Sequence, residues 1–133
     1  MSGGNKSDYL KQAASVLGAS GVALGALGAH ALHPKLVERG VLESWRTAVL
    51  YQLFHATTIL SISALCESSS SGADPISTSR LQRAGHLITI GTTLFSGSIY
   101  MLCFGIGPKK LVGPTTPIGG LIMISGWVML GLS

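Results

Sequence analysis

The chain has 133 residues, 47% of them hydrophobic and 11% charged, against roughly 25% charged in a water-soluble domain. With a mean hydropathy of +0.50, this composition excludes a soluble globule and a disordered tail, since neither leaves so little polar surface. The net charge of +4 comes from nine Lys and Arg scattered along the chain; they build no basic face with stacking aromatics, so a nucleic-acid partner is excluded too.

Four intervals contain no Asp, Glu, Lys or Arg: residues 13–32, 47–66, 84–107 and 111–132. At about 1.5 Å per residue each is long enough to cross a hydrocarbon core of about 30 Å as a helix. Segments such as Leu94 to Phe104 do not alternate in polarity, which argues against membrane strands. The expected fold is therefore all-α, an integral membrane four-helix bundle with both termini on one side. Its spans lie at about 13–32, 45–66, 80–105 and 112–132, and residues 1–12 form an N-terminal extension to the domain 13–133. Lys6, Lys11, Arg80 and Arg83 fall on one side and Lys35, Arg39, Arg46, Lys109 and Lys110 on the other. Four against five leaves the orientation open.

The first span is rich in glycine. Gly18, Gly21, Gly25 and Gly28 share one arc of the helical wheel and include a G-x-x-x-G at 21 and 25, a face that another helix can approach closely, whether from this chain or from another protein. Residues 33–46 contain Pro34 and Gly40 and read as a turn or two of interfacial helix, after which Trp45 anchors the second span at headgroup level. On that span Trp45, Ala48, Gln52, His55 and Ile59 occupy one side, which should turn inward. The segment 67–80 is a Ser-rich loop, with hydroxyls near Ser77 to Ser79 placed to cap the third helix. Within the third span Thr89, Thr93, Ser96 and Tyr100 form a polar stripe, read as a packing seam rather than a solute path. In the last, Thr116-Pro117 reads as N-cap and first helical residue, with Lys110 to Thr116 in the interface or bent inward; Gly120, Ile124, Trp127 and Gly131 make a second glycine-bearing face.

The two cysteines, Cys66 and Cys103, end antiparallel spans near opposite faces, too far apart for a disulfide, and their spacing fits no zinc or iron–sulfur signature. Of the histidines, His33 is interfacial and His86 opens the third span. His30 and His55 differ in depth, so no metal or haem ligand set assembles and no cofactor is expected. A histidine inside a membrane is a functional candidate by default, but neutral His55 and Gln52 hydrogen-bonded to neighbouring helices is the favoured reading.

Several segments together resemble a known family. They are Gly25-Ala-Leu-Gly-Ala-His-Ala-Leu32, Trp45-x-Thr-Ala-x-x-Tyr-Gln-x-x-His55-Ala56, Leu94-Phe-Ser-Gly-Ser-Ile-Tyr100, and Thr116-Pro-Ile-Gly-Gly120 with Trp127. The chain is similar, from about residue 13 to residue 132, to the transmembrane protein 256-like family, formerly domain of unknown function 423. The resemblance implies a four-helix membrane protein of bacterial or mitochondrial type and brings no assigned reaction, cofactor or catalytic residue. The family's polar positions coincide with His30, Trp45, Tyr51, Gln52, His55, Ser96 and Tyr100.

All five acidic residues lie outside the spans, so an enzyme acting on lipid ranks last. The leading expectation is a non-catalytic accessory subunit of a mitochondrial inner-membrane respiratory complex or supercomplex, with lipid, other membrane subunits and bound lipids as partners. The alternative is a binder or conduit for a small hydrophobic molecule, lipid or quinone, with Gln52, His55 and Tyr100 lining a cavity.

Overall fold

The computed structural model describes residues 6–69 and 74–133. Its element order is α1 (Lys6–Ala29), α2 (His33–Glu38), α3 (Leu42–Ser69), α4 (Pro75–Phe104) and α5 (Lys109–Gly131). The four long helices are each long and apolar enough to span a membrane. They form a four-helix membrane bundle in which α1 and α5 each begin and end opposite their neighbours, as an even number of crossings requires. Helix α1 packs along α3 and α5 along α4, while α3 and α4 form the central pair.

The helices overrun the uncharged intervals. At 28 and 30 residues, α3 and α4 exceed the roughly 20 needed to cross, so their charged ends, including Glu43, Arg46, Arg80 and Arg83, project past the hydrocarbon. The N-terminal extension is shorter than expected: α1 begins at Lys6, and residues 1–5 lie outside the described residues. Leu10, expected in that extension, is fully buried with Ala14, Ile59, Ile62 and Ile88 in one core cluster. Most of the Ser-rich loop is helical as well, with residues 70–73 outside the described residues. Helix α4 is capped earlier than Ser77 to Ser79, by Asp74, whose carboxylate accepts from the Ile76 amide at 3.2 Å.

The expected start of the last helix at Thr116-Pro117 is also corrected. Helix α5 runs without interruption from Lys109 through Pro114 and Pro117. Both prolines lie inside the helix, and each removes the amide donor that would meet the carbonyl four residues earlier, at Lys110 and at Gly113; the helix continues through them, and the Thr115 hydroxyl bonds the Leu111 carbonyl at 2.8 Å. Thr116 serves a different purpose, sharing a 2.6 Å hydrogen bond with Ser98 on α4.

Close backbone approach holds the two outer helices. On α1, a Cβ at Gly21 would lie 2.8 Å from Leu53, one at Gly25 3.2 Å from Val49, and one at Gly28 on the Trp45 indole. The glycine face of α1 is therefore spent on α3 of the same chain. On α5 the tight contacts come from Gly119 and Gly126, against Phe95 and Ile88 of α4. Gly120, expected in that role, only grazes the Phe95 ring at 3.8 Å, and its companions Ile124 and Trp127 are exposed.

Candidate functional site

Two apolar clusters fill the ends of the bundle. One surrounds Leu10 and Ile62 at the end where α1 begins and α5 stops; the other gathers Leu36, Trp45 and Cys103 at the opposite end. Trp45 belongs to this second cluster and turns inward: it is 1% exposed and donates its indole N–H to the Leu24 carbonyl at 3.0 Å. The missing Cβ at Gly28 is what lets the ring lie against α1. Short α2 closes this end, stopped by Gly40 at φ +66°, a left-handed conformation that glycine adopts without a steric penalty.

Between the clusters runs a polar layer centred on α3. Gln52 is 4% exposed, and all its hydrogen-bonding groups are used. Its amide donates to the Leu17 carbonyl at 2.9 Å and to the Ser20 hydroxyl at 2.8 Å, while its carbonyl accepts from the Tyr100 hydroxyl at 2.8 Å. Ser20 passes the chain on to the Val16 carbonyl. One side chain thus ties α1, α3 and α4 together, and in a membrane such bonds fix helix register because lipid supplies no replacement partner. Ser96 adds a further tie, donating to the Ala48 carbonyl at 2.8 Å.

The expected stripe on α4 is divided. Thr89 and Ser96 are buried and Tyr100 is half-buried, but Thr93 points outward and bonds back to the Thr89 carbonyl at 2.9 Å. Thr92 and Ser98, outside that stripe, are further buried hydroxyls of α4; their bonds to Met123 and Thr116 face α5. A period of four beginning at Thr89 follows one edge of α4, whereas α5 sits on the edge one residue earlier.

His55 stands one turn from Gln52 on α3 but opens toward α5. It is 6% exposed. The Trp127 indole N–H, a donor only, lies 3.2 Å from its Nε2, and Nδ1 lies 2.7 Å from the Tyr51 carbonyl, an acceptor only. This pair of partners assigns a neutral ring with the proton on Nδ1. Around it lie Tyr51, Phe54, Phe95 and Trp127, with Tyr51 and Phe95 ring centroids 4.7 Å apart and Phe54 and Trp127 6.1 Å apart. Together with Leu50, Gly120, Met123 and Ile124 they line a groove of about 490 Å³ between α3 and α5, open on its outer side. Trp127, Phe95 and Phe54 were not among the expected site residues. Phe54 adjoins His55 in sequence, whereas Phe95 and Trp127 are brought beside it by the packing of α4 and α5, which residue spacing does not report.

Of the other candidates, His30 is exposed at the end of α1. His86 packs against Tyr9, with centroids 5.3 Å apart. The cavity expected around Gln52, His55 and Tyr100 is not one space: Gln52 is buried with the hydroxyl of the half-buried Tyr100 on its carbonyl, and of the three only His55 lines the groove. Cys66 and Cys103 are buried free thiols in the two opposite clusters.

A family described as "Protein of unknown function (DUF423)" matches residues 24–120. The chain belongs to this family. Among its relatives, a UPF0382 membrane protein of Schizosaccharomyces pombe is 35% identical over 120 residues, covering 88% of this chain and 93% of that one. The UPF0382 membrane protein YwdK of Bacillus subtilis is 36% identical, covering 82% of this chain and 81% of its own. The UPF0382 inner membrane protein YgdD of Escherichia coli is 32% identical, covering 88% and 82%. No solved structure matches. The family's span includes the α1 glycines from 25 onward, all of α3 and α4, and α5 as far as Gly120, so Trp127 lies beyond it. An integral membrane protein is what these names and the apolar helices agree on, and bacterial relatives widen the setting beyond mitochondria.

Proposed function

We propose that the chain is a non-catalytic membrane protein that holds a small hydrophobic molecule in the groove between α3 and α5. The observation that carries this reading is the groove itself. Its volume of about 490 Å³ falls within the range of roughly 300–1,000 Å³ typical of small-molecule sites, and its walls are aromatic. The acidic residues Glu43, Glu67 and Asp74 are exposed, away from the groove, and among the described residues no hydroxyl or thiol hydrogen-bonded to a base lines it, which supports a binding role over a catalytic one.

Gly120 offers a direct test. Its Cα borders the groove beside the Phe95 ring with room for a larger side chain, so Gly120→Leu fills the space without disturbing the α4–α5 contact. Native mass spectrometry of the protein released from phosphatidylcholine nanodiscs should show a retained apolar molecule on the wild type and none on Gly120→Leu. Equal retention by both, or none by either, overturns the proposal.

A place as an accessory subunit of a respiratory assembly is the second reading. Its glycine-face argument applies less strongly now that the α1 glycines face α3; what supports it is the broad apolar exterior, including Val16, Val22, Leu60 and Leu121. Co-migration with a large complex on a native gel, after gentle solubilisation of mitochondrial membranes, separates it from the first.

A further inference from the structure

The groove has a polar floor, and its position in the bilayer restricts what can use it. His55 is nine residues from Arg46 and twelve from Glu67 along α3, which at the helical rise is about 14 Å and about 18 Å from the two charged ends. Its imidazole therefore lies near mid-membrane. Phospholipid headgroups stay at the interfaces, so only their acyl tails reach this depth, and tails offer nothing to a ring nitrogen.

The floor presents an acceptor and a donor side by side. Nε2 of His55 accepts the Trp127 N–H at 3.2 Å, at the long end of the N–H donor range. The indole is 40% exposed, with freedom to move outward. A single hydroxyl entering between them satisfies both, donating to Nε2 and accepting from the indole N–H. A ketone oxygen, which only accepts, satisfies the indole and leaves Nε2 unpaired. Tyr51 adds a third polar group. It is 40% exposed on the groove wall, and among the described residues its hydroxyl has no hydrogen-bond partner. The flanking rings of Phe95 and Phe54 suit a flat head.

We infer that the groove selects a neutral lipophile bearing a hydroxylated ring, such as a quinol or other lipid-borne phenol, its hydroxyl seated between His55 Nε2 and Trp127 Nε1. This inference rests on the proposed binding function and names the chemistry of its ligand. Trp127 acts as a latch: it covers the imidazole in the empty groove and becomes a ligand contact in the filled one.

The indole N–H proton of Trp127, identified by its loss in Trp127→Phe, reports the event directly by nuclear magnetic resonance in phosphatidylcholine nanodiscs. Three probes are titrated: a decyl-substituted hydroquinone, the corresponding quinone, and decylbenzene. The hydroquinone should shift the resonance saturably at a membrane mole fraction at least tenfold below that needed for decylbenzene, with the quinone between them. His55→Phe should remove the preference, while Ser96→Ala, outside the groove, should retain it. Should His55→Phe fail to fold, the ranking of the three probes on the wild type decides by itself. Saturable binding of all three with equal affinity overturns the hydroxyl selection and leaves the binding function standing. No saturable shift with any probe overturns both.

Discussion

Gln52 and His55 lie one turn apart on the same face of α3, and both are buried, yet their surroundings end differently. At Gln52 the small residues of α1 let that helix come close, and three partners close around the amide. At His55 the small residues of α5 are turned instead toward α4, which leaves the bulky Trp127 to bridge the remaining distance. A membrane interior has no solvent to fill gaps with polar partners, so a helix can seal only the neighbour that its glycines face. The sealed half of the layer is where stability resides, and the half left open is where something else can enter.

The contrast breaks most severely at the glycines themselves. Gly119→Ala would place a Cβ 2.5 Å from the Phe95 amide nitrogen and 2.8 Å from the Gly91 carbonyl, both backbone atoms with no rotamer to yield. A loss of about 2–3 kcal/mol, as for overpacked cores, is expected from reversible unfolding in mixed micelles. Gly97, with nothing near its missing Cβ, provides the opposite case, and Gly97→Ala should be neutral or raise stability by about 0.5–1 kcal/mol.

Substitution along α3 sharpens the comparison. Gln52→Leu abandons three bonds at once and should cost about 2 kcal/mol, since single interhelical bonds average about 0.6 kcal/mol and reach about 1.7. His55→Phe should cost less than about 1 kcal/mol, because its ring volume is kept and the Trp127 partner can turn to the lipid. Because Tyr100 acts through Gln52, adding Tyr100→Phe to Gln52→Leu should change little beyond the single variant; simple additivity would show that the network is not coupled. Among the single substitutions that remove an interhelical bond, Ser96→Ala should cost least, about 0.6 kcal/mol for its one bond to the Ala48 carbonyl, measured by the same unfolding assay.

Much of this arrangement is legible before any coordinates. The helix count follows from where charges are missing, and the wheel of α3 places Trp45, Gln52, His55 and Ile59 together because period alone decides a helix face. Partners across helices are less accessible. Gly119 and Gly120 are neighbours 100° apart on the wheel, and the pattern Gly120–Ile124–Trp127–Gly131 is as regular as the one that packs, so spacing does not tell the packed edge of α5 from the outward one. Thr116-Pro117 carries a helix-start signal, but the turn before it was already helical and the threonine had a cross-helix partner. Trp45 has the composition of an interfacial anchor, and only the proximity of a carbonyl on α1, permitted by Gly28, turns it inward. In each case the local signal is sound and the tertiary neighbour decides.

The burial of both thiols in opposite end clusters has a practical corollary. Cys66 and Cys103 are shielded from thiol-directed reagents while the bundle is intact, so a cysteine introduced at an exposed tip such as Ser44 or Ser133 would carry a label alone. Which end faces which compartment is then read with membrane-impermeant maleimides, with the wild-type thiols serving as an internal alarm for unfolding.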